Sequence, residues 1–166
     1  MASELGKKVL YTARVTVTGG RAGVGRTEDG SFEVQLKPPV EFGGPGGGAN
    51  PEQLFAIGYA ACFESTLRVA ARRAQLDPKG TTIHAQVRIV PRDQEPGNTL
   101  ELDLDITMPQ VEDAERGAAI VRQAYQLCPY SYATRGNIAV ALTLNGRSVP
   151  PSEAPAREVP EEGTDD

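Results

Sequence analysis

The chain has 166 residues, 39% of them hydrophobic and 23% charged, a composition that predicts one soluble globular domain able to bury a core without disulfides or metals. Its formal charge of −5 is carried by residues 148–166, where six carboxylates oppose the single cation Arg157, so residues 1–147 are neutral and show no basic bias toward nucleic acid. The opening Met1-Ala-Ser-Glu-Leu-Gly-Lys-Lys-Val9 lacks the apolar run of a signal peptide, and no run approaches the ~18 residues of a membrane span, which predicts a cytoplasmic protein with no membrane partner.

Residues 9–18 alternate and are rich in β-branched side chains, predicting a first strand, and Gly19-Gly20-Arg21-Ala22-Gly23 reads as a glycine-flanked loop. Residues 31–37 alternate again and pair with the first strand as a hairpin, which Pro38-Pro39 ends because proline cannot donate to a ladder. The flexible stretch Gly43-Gly-Pro-Gly-Gly-Gly-Ala-Asn50 leads into a helix start, with Asn50 as cap and Pro51 at the first helical position. That helix is expected to reach about residue 75; its half over 54–63 is apolar all round and so central to the core.

Residues 82–90 and 99–107 alternate cleanly as two further strands, the second with Glu101, Asp103 and Asp105 on a solvated face. Residues 111–127 carry helical spacing, and 137–144 read as a last strand. The order ββ-α-ββ-α-β predicts an α+β fold: a mostly antiparallel sheet with two main helices, one of them central and apolar, over residues 1–147. The Pro-rich acidic segment 148–166 buries too little apolar surface to order itself and is expected to be a disordered tail.

Chemistry concentrates on two cysteines 66 positions apart. Cys62 lies in the apolar run Leu54-Phe-Ala-Ile-Gly-Tyr-Ala-Ala-Cys62-Phe63, where a thiol is ordinarily a small core residue with a raised pKa. A reactive role needs a cation nearby. Arg21, on its glycine loop, offers a guanidinium that stays charged when desolvated and can face a thiolate and a carboxylate together. Glu52, beside the helix cap, is the carboxylate to pair with it. Ten helical positions separate Glu52 from Cys62, ~15 Å along a straight axis. Either Glu52 precedes the regular helix, Arg21 spans between them, or a partner subunit completes the site. Cys128 sits where a helix stops, before Pro129, on an irregular segment whose helix-end charge disfavours a thiolate. It is a poor first nucleophile and a reasonable resolving thiol, or an inert cysteine. If the two thiols meet in space, thiol–disulfide chemistry leads.

Other signals are weak. Gly44-Pro-Gly-Gly-Gly-Ala49 matches G-x-G-x-x-A, but no buried parallel strand precedes it and no Lys-Ser/Thr follows. The lone His84 and two distant cysteines make no zinc site, and Ser65 and Ser131 have no histidine near in sequence for a serine triad.

The motifs Gly19-Gly20-Arg21, Gly43 to Ala56, Gly58-Tyr-Ala-Ala-Cys62-Phe63, Cys128-Pro129-Tyr130-Ser131 and Ala133-Thr134-Arg135-Gly136-Asn137-Ile138 occur in order across residues 8–145. Together they resemble the organic hydroperoxide resistance proteins of the osmotically inducible protein C (OsmC) superfamily. The resemblance implies an OsmC-like intertwined homodimer with active sites at the subunit interface. It implies a cysteine-based peroxidase that reduces organic hydroperoxides to alcohols. By position Cys62 is the peroxidatic cysteine, Cys128 the resolving one with which it forms a disulfide, and Arg21 with Glu52 the activating pair. No cofactor is implied beyond an external dithiol reductant of the lipoyl type, on a lipoylated protein or as dihydrolipoamide. An apolar wall of Phe55, Ile57, Tyr59 and Phe63 around Cys62 predicts binding of the substrate's alkyl part and a preference for alkyl or fatty-acid hydroperoxides over hydrogen peroxide. Tyr132 stands where such proteins carry a small polar residue, next to the resolving cysteine. The competing reading is a non-catalytic redox sensor or small-molecule-binding dimer using the same pocket.

Overall fold

The computed structural model describes residue 6 and residues 8–151. From residue 152 onward, the tail expected over 148–166 lies outside the described residues. The chain divides into two compact units, one ending at Leu54 and one beginning at Phe55. Each has its own sheet.

The first unit is a three-stranded antiparallel sheet of β1 (Val15–Thr18), β2 (Val24–Thr27) and β3 (Glu33–Gln35), in that order. The sequence predicts β1 paired with β3; instead β2 lies between them. Gly25 hides this strand by interrupting its β-branched pattern. In the register Gly25 is opposite both Val17 and Val34, whose methyl groups lie 3.7 Å and 3.5 Å from where a Cβ would stand, ordinary contact distances. β1 is shorter than its alternation because β2 offers it only four partners.

Helix α1 (Pro51–Arg73) opens at Asn50, which makes a reciprocal capping box with Gln53: Asn50 Oδ1 accepts from Gln53 N at 2.8 Å, and Gln53 Oε1 accepts from Asn50 N at 3.1 Å. The helix stops two residues earlier than expected, where Gln75 turns left-handed (φ 57°) and Leu76 N returns to Ala71 O at 2.9 Å.

In the second unit, β4 (Thr82–Pro91) and β5 (Asn98–Thr107) pair antiparallel over ten residues. The chain then passes through α2 (Ala114–Leu127) and the unpredicted short helix α3 (Pro129–Thr134) before β6 (Ala139–Leu144). A helical crossover returns the chain in its original direction, so β6 joins β5 parallel; the other named strand pairs are antiparallel, as the sequence predicts. A second unpredicted strand, β7 (Arg147–Ser148), pairs with β6, and Val149 is buried, so the fold continues past 147.

Between the sheet and the helices lies the core: Leu102, Leu104 and Ile106 of β5, Leu142 and Leu144 of β6, Tyr59, Phe63 and Leu67 of α1, and Ile120, Val121 and Ala124 of α2. Gly117 lets α2 approach, since a Cβ there would stand 2.6 Å from Leu144 Cδ2. α1 is not buried all round, as its sequence suggests, but along one stripe at helical spacing, with Ile57, Ala61 and Val69 facing outward. By length and composition this helix could cross a membrane. Its packed stripe and its charges Glu64, Arg68, Arg72 and Arg73 give it the pattern of a core helix instead. On the outer face of β5, Glu101 and Asp103 are bridged by Arg88 of β4 at 3.1 Å and 2.6 Å rather than simply solvated.

Candidate active site

Four residues carry the predicted chemistry, two in each unit. In the first unit Arg21 lies in a single 3-10 turn, Gly20–Ala22. Two glycines shape that turn. Gly19 is left-handed (φ 76°), and a side chain at Gly23 would strike the backbone of Thr18. The guanidinium grips Glu52 through its two terminal nitrogens: Nη1 donates to Oε2 at 2.8 Å and Nη2 to Oε1 at 2.6 Å. The Phe42 ring lies 5.7 Å from the same guanidinium. Glu52 is the better shielded partner, its side chain 17% exposed against 45% for Arg21. The Arg21 hydrogen bond holds the Glu52 carboxyl below its ordinary range, and the reciprocal bond raises Arg21. Glu52 lies within the first turn of α1, which removes the option that it precedes the regular helix.

In the second unit Cys62, on α1, faces Cys128, with Sγ–Sγ at 3.5 Å. Both are free thiols; Cys128 has no exposed surface and Cys62 is half-buried. Cys128 is the joint between two helices. Its backbone is extended (φ −65°, ψ 124°), and it ends α2 and caps α3 at once. Pro129 explains both roles, since it forces the preceding residue out of the helical region and then starts a new helix at its first position. The α2 C-terminus that disfavours a thiolate is therefore met at the same residue by the opposite end of α3, a compensation the sequence reading missed.

Burial pushes the Cys62 thiol above its ordinary value of 9.0. The backbone N–H of Tyr130, in the first turn of α3, works against that rise, while the neighbouring Cys128 sulfur adds to it, because two thiolates cannot share the site. Among the described residues no cationic side chain contributes to the shift.

The predicted apolar wall separates into two pairs. Tyr59 and Phe63 have no exposed surface and are core residues. Alternate helical positions point to opposite sides, so Ile57 is 66% exposed, and Phe55 is partly buried, edge-on to Tyr59 at 5.8 Å. Phe55 and Ile57 thus keep surface to offer a ligand; Tyr59 and Phe63 do not. Tyr132 is 62% exposed and meets the Arg135 guanidinium at 6.0 Å, whereas the adjacent helix joint keeps Cys128 covered.

Sequence reasoning passed over three groups beside the thiols: the Tyr130 N–H, Ser131 and Thr134. Ser131 is fully buried, and Tyr59 Oη donates to its Oγ at 2.9 Å and lies 3.4 Å from Thr134 Oγ1. Pro129 was the available signal, since it marks the start of the helix that carries all three.

Residues 43–143 match the family described as OsmC-like protein. A protein of Xanthomonas axonopodis pv. citri named organic hydroperoxide resistance protein is 46% identical over 141 residues, covering 83% of this chain and 96% of its own. The structure of the organic hydroperoxide resistance protein OhrB of Bacillus subtilis superposes with a TM-score of 0.72 at 37% identity, over 82% of this chain and 99% of that one. The organic hydroperoxide resistance protein of Elizabethkingia anophelis gives a TM-score of 0.74 at 41% identity, over 82% and 97%. With the profile spanning both cysteines and the likeness running through sequence and backbone, this chain belongs to the OsmC family, among its organic hydroperoxide resistance proteins.

Proposed function

We propose that this chain is a cysteine-based peroxidase that reduces organic hydroperoxides to alcohols and is recycled by a dithiol. The observation that carries the reading is the 3.5 Å approach of two free thiols brought from helices 66 positions apart. A disulfide needs about 2.05 Å between sulfurs, so a small movement closes the bond.

The Cys62 thiolate attacks the terminal oxygen of ROOH. The O–O bond breaks, the alkoxide leaves and takes a proton to become ROH, and Cys62 becomes a sulfenic acid. Cys128 then attacks that sulfur; the S–S bond forms and the sulfenic oxygen departs as water. A dithiol such as dihydrolipoamide, free or on a lipoylated protein, restores both thiols by exchange and is itself left as a disulfide. The cation that Cys62 lacks among its own neighbours is supplied by Arg21, oriented by its bidentate bond to Glu52. The acting species is the homodimer, in the cytoplasm. The exposed apolar surface of Phe55 and Ile57 favours alkyl and fatty-acid hydroperoxides over hydrogen peroxide, which has no apolar part to desolvate.

The upward shift of Cys62 is the one feature that favours the competing reading, a non-catalytic redox sensor that oxidises once. Consumption of cumene hydroperoxide with dihydrolipoamide separates the two. Many turnovers per protein, lost in Cys62→Ser and reduced to a single oxidation followed by stalling in Cys128→Ser, support the peroxidase. Stoichiometric oxidation under every dithiol, or equal steady-state rates in both variants, overturns it.

A further inference from the structure

The peroxidase reading uses two sulfurs and an ion pair, and leaves unexplained the buried hydroxyl pair beside them. Tyr59 and Ser131 have no exposed surface and sit where phenylalanine and alanine would fill the same space without a polar atom. Burying two hydroxyls carries a desolvation cost that their mutual bond offsets only in part. Their position supplies a reason. Tyr59 lies three positions before Cys62 on α1, and Ser131 three positions after Cys128 on α3. The same two segments thus meet sulfur to sulfur at 3.5 Å and hydroxyl to hydroxyl at 2.9 Å. Thiol contact and ring stacking tolerate some rolling of α3 on α1; a hydrogen bond is directional and fixes its rotation. The Tyr130 ring, stacked on Tyr59 at 5.8 Å and 25°, lies between the two points in sequence.

We propose that the Tyr59–Ser131 hydrogen bond is a clasp that holds Cys128 in attacking position, so that Cys62 sulfenic acid is captured as the disulfide before a second peroxide oxidises it to sulfinic acid. Both are positioning residues. The proposal rests on the redox-active pair of the preceding section but not on turnover. Thr134 offers the phenol a second acceptor when Ser131 is lost, so removing the phenol is the more damaging change.

The test equilibrates the full chain with glutathione buffers of graded ratio. Two protein thiols and one glutathione disulfide give one Cys62–Cys128 disulfide and two glutathiones, scored by mass after alkylation. Tyr59→Phe is expected to lower the equilibrium constant about fivefold to tenfold, the order expected of one buried hydrogen bond, a tenfold change being about 30 mV. Ser131→Ala lowers it less, and the double variant no further than Tyr59→Phe. Under excess cumene hydroperoxide the variants accumulate Cys62 sulfinic acid and the wild type does not. A bond that only supports the fold would instead lower the thermal midpoints of reduced and oxidised forms equally and leave the equilibrium constant at the wild-type value; that result overturns the clasp and spares the peroxidase reading. A wild type that forms no such disulfide at any ratio overturns both. Should Tyr59→Phe fail to fold, the Ser131→Ala constant decides alone.

Discussion

At Cys62 two requirements conflict. The helix that gives the thiol a half-buried, apolar setting also raises its pKa, and a peroxidatic sulfur reacts as the thiolate. Burial is the larger influence and the Tyr130 N–H the smaller, so the thiol's immediate neighbours leave it above 9.0. An opposite charge within about 4–6 Å would move it down by roughly 1–3 units, and Arg21 is assigned that task. The rate of iodoacetamide alkylation against pH, measured on Cys128→Ser to isolate Cys62, reads the value directly. The expected profile turns over below 9.0, and Arg21→Ala moves it above 9.0 with the plateau rate unchanged. A profile that already turns over above 9.0 and ignores Arg21→Ala would leave the ion pair as a prop for the N-terminal unit. The sign for Glu52 is the reverse. Its carboxyl is held below 4.5 by Arg21, so whatever stability the pair supplies is present above that pH and is lost as pH falls through the lowered value.

Among the elements, the hairpin joining β6 to β7 shows how one residue closes a fold. Asn145 and Gly146 both have positive φ (48° and 77°), the pattern of a type I′ turn. Asn145 then reaches across to the end of β5: its Oδ1 accepts from Met108 N at 2.8 Å, and its Nδ2 donates to Met108 O at 3.2 Å. Asn145→Ala should cost about 2–3 kcal/mol, from strain at the left-handed position and an unpaired N–H at the buried Met108. Asn145→Gly should cost about 1 kcal/mol less, since only the strain is relieved; urea midpoints of the two variants measure the difference. The sequence analysis did not read this hairpin, because a turn pair such as Asn-Gly signals one only where a second strand follows, and two residues, Arg147 and Ser148, carry no alternation to read. β2 was hidden by Gly25 for a similar reason. The start of α1 was legible, because Asn50 and Pro51 act within one turn. The meeting of Cys62 with Cys128 was not, since it depends on a crossover through α2 and α3 that no local pattern encodes.

For the molecule as a whole, the thiol pair spans the greater part of the second unit, so oxidation is a change in its topology as well as in its chemistry. A disulfide between Cys62 and Cys128 would close a loop of about 66 residues, for which loss of chain entropy in the unfolded state predicts a gain of up to about 4 kcal/mol. Whether that gain is realised depends on what the folded state gives up to shorten 3.5 Å to a bond. If α3 approaches without disturbing Tyr59 and Ser131, the oxidised protein unfolds at clearly higher urea than the reduced one, and Cys128→Ser shows no such gain after peroxide treatment. If closing the bond strains the joint at Cys128, the gain shrinks toward zero or reverses. The strain would then reappear as a disulfide that a dithiol reduces easily. The two outcomes are linked by a thermodynamic cycle: whatever stability the disulfide fails to give the fold is free energy available to drive its own reduction. A recycled peroxidase needs the second outcome, so the oxidised form should gain well under 4 kcal/mol. A gain at the full entropic value would mark this pair as a structural crosslink.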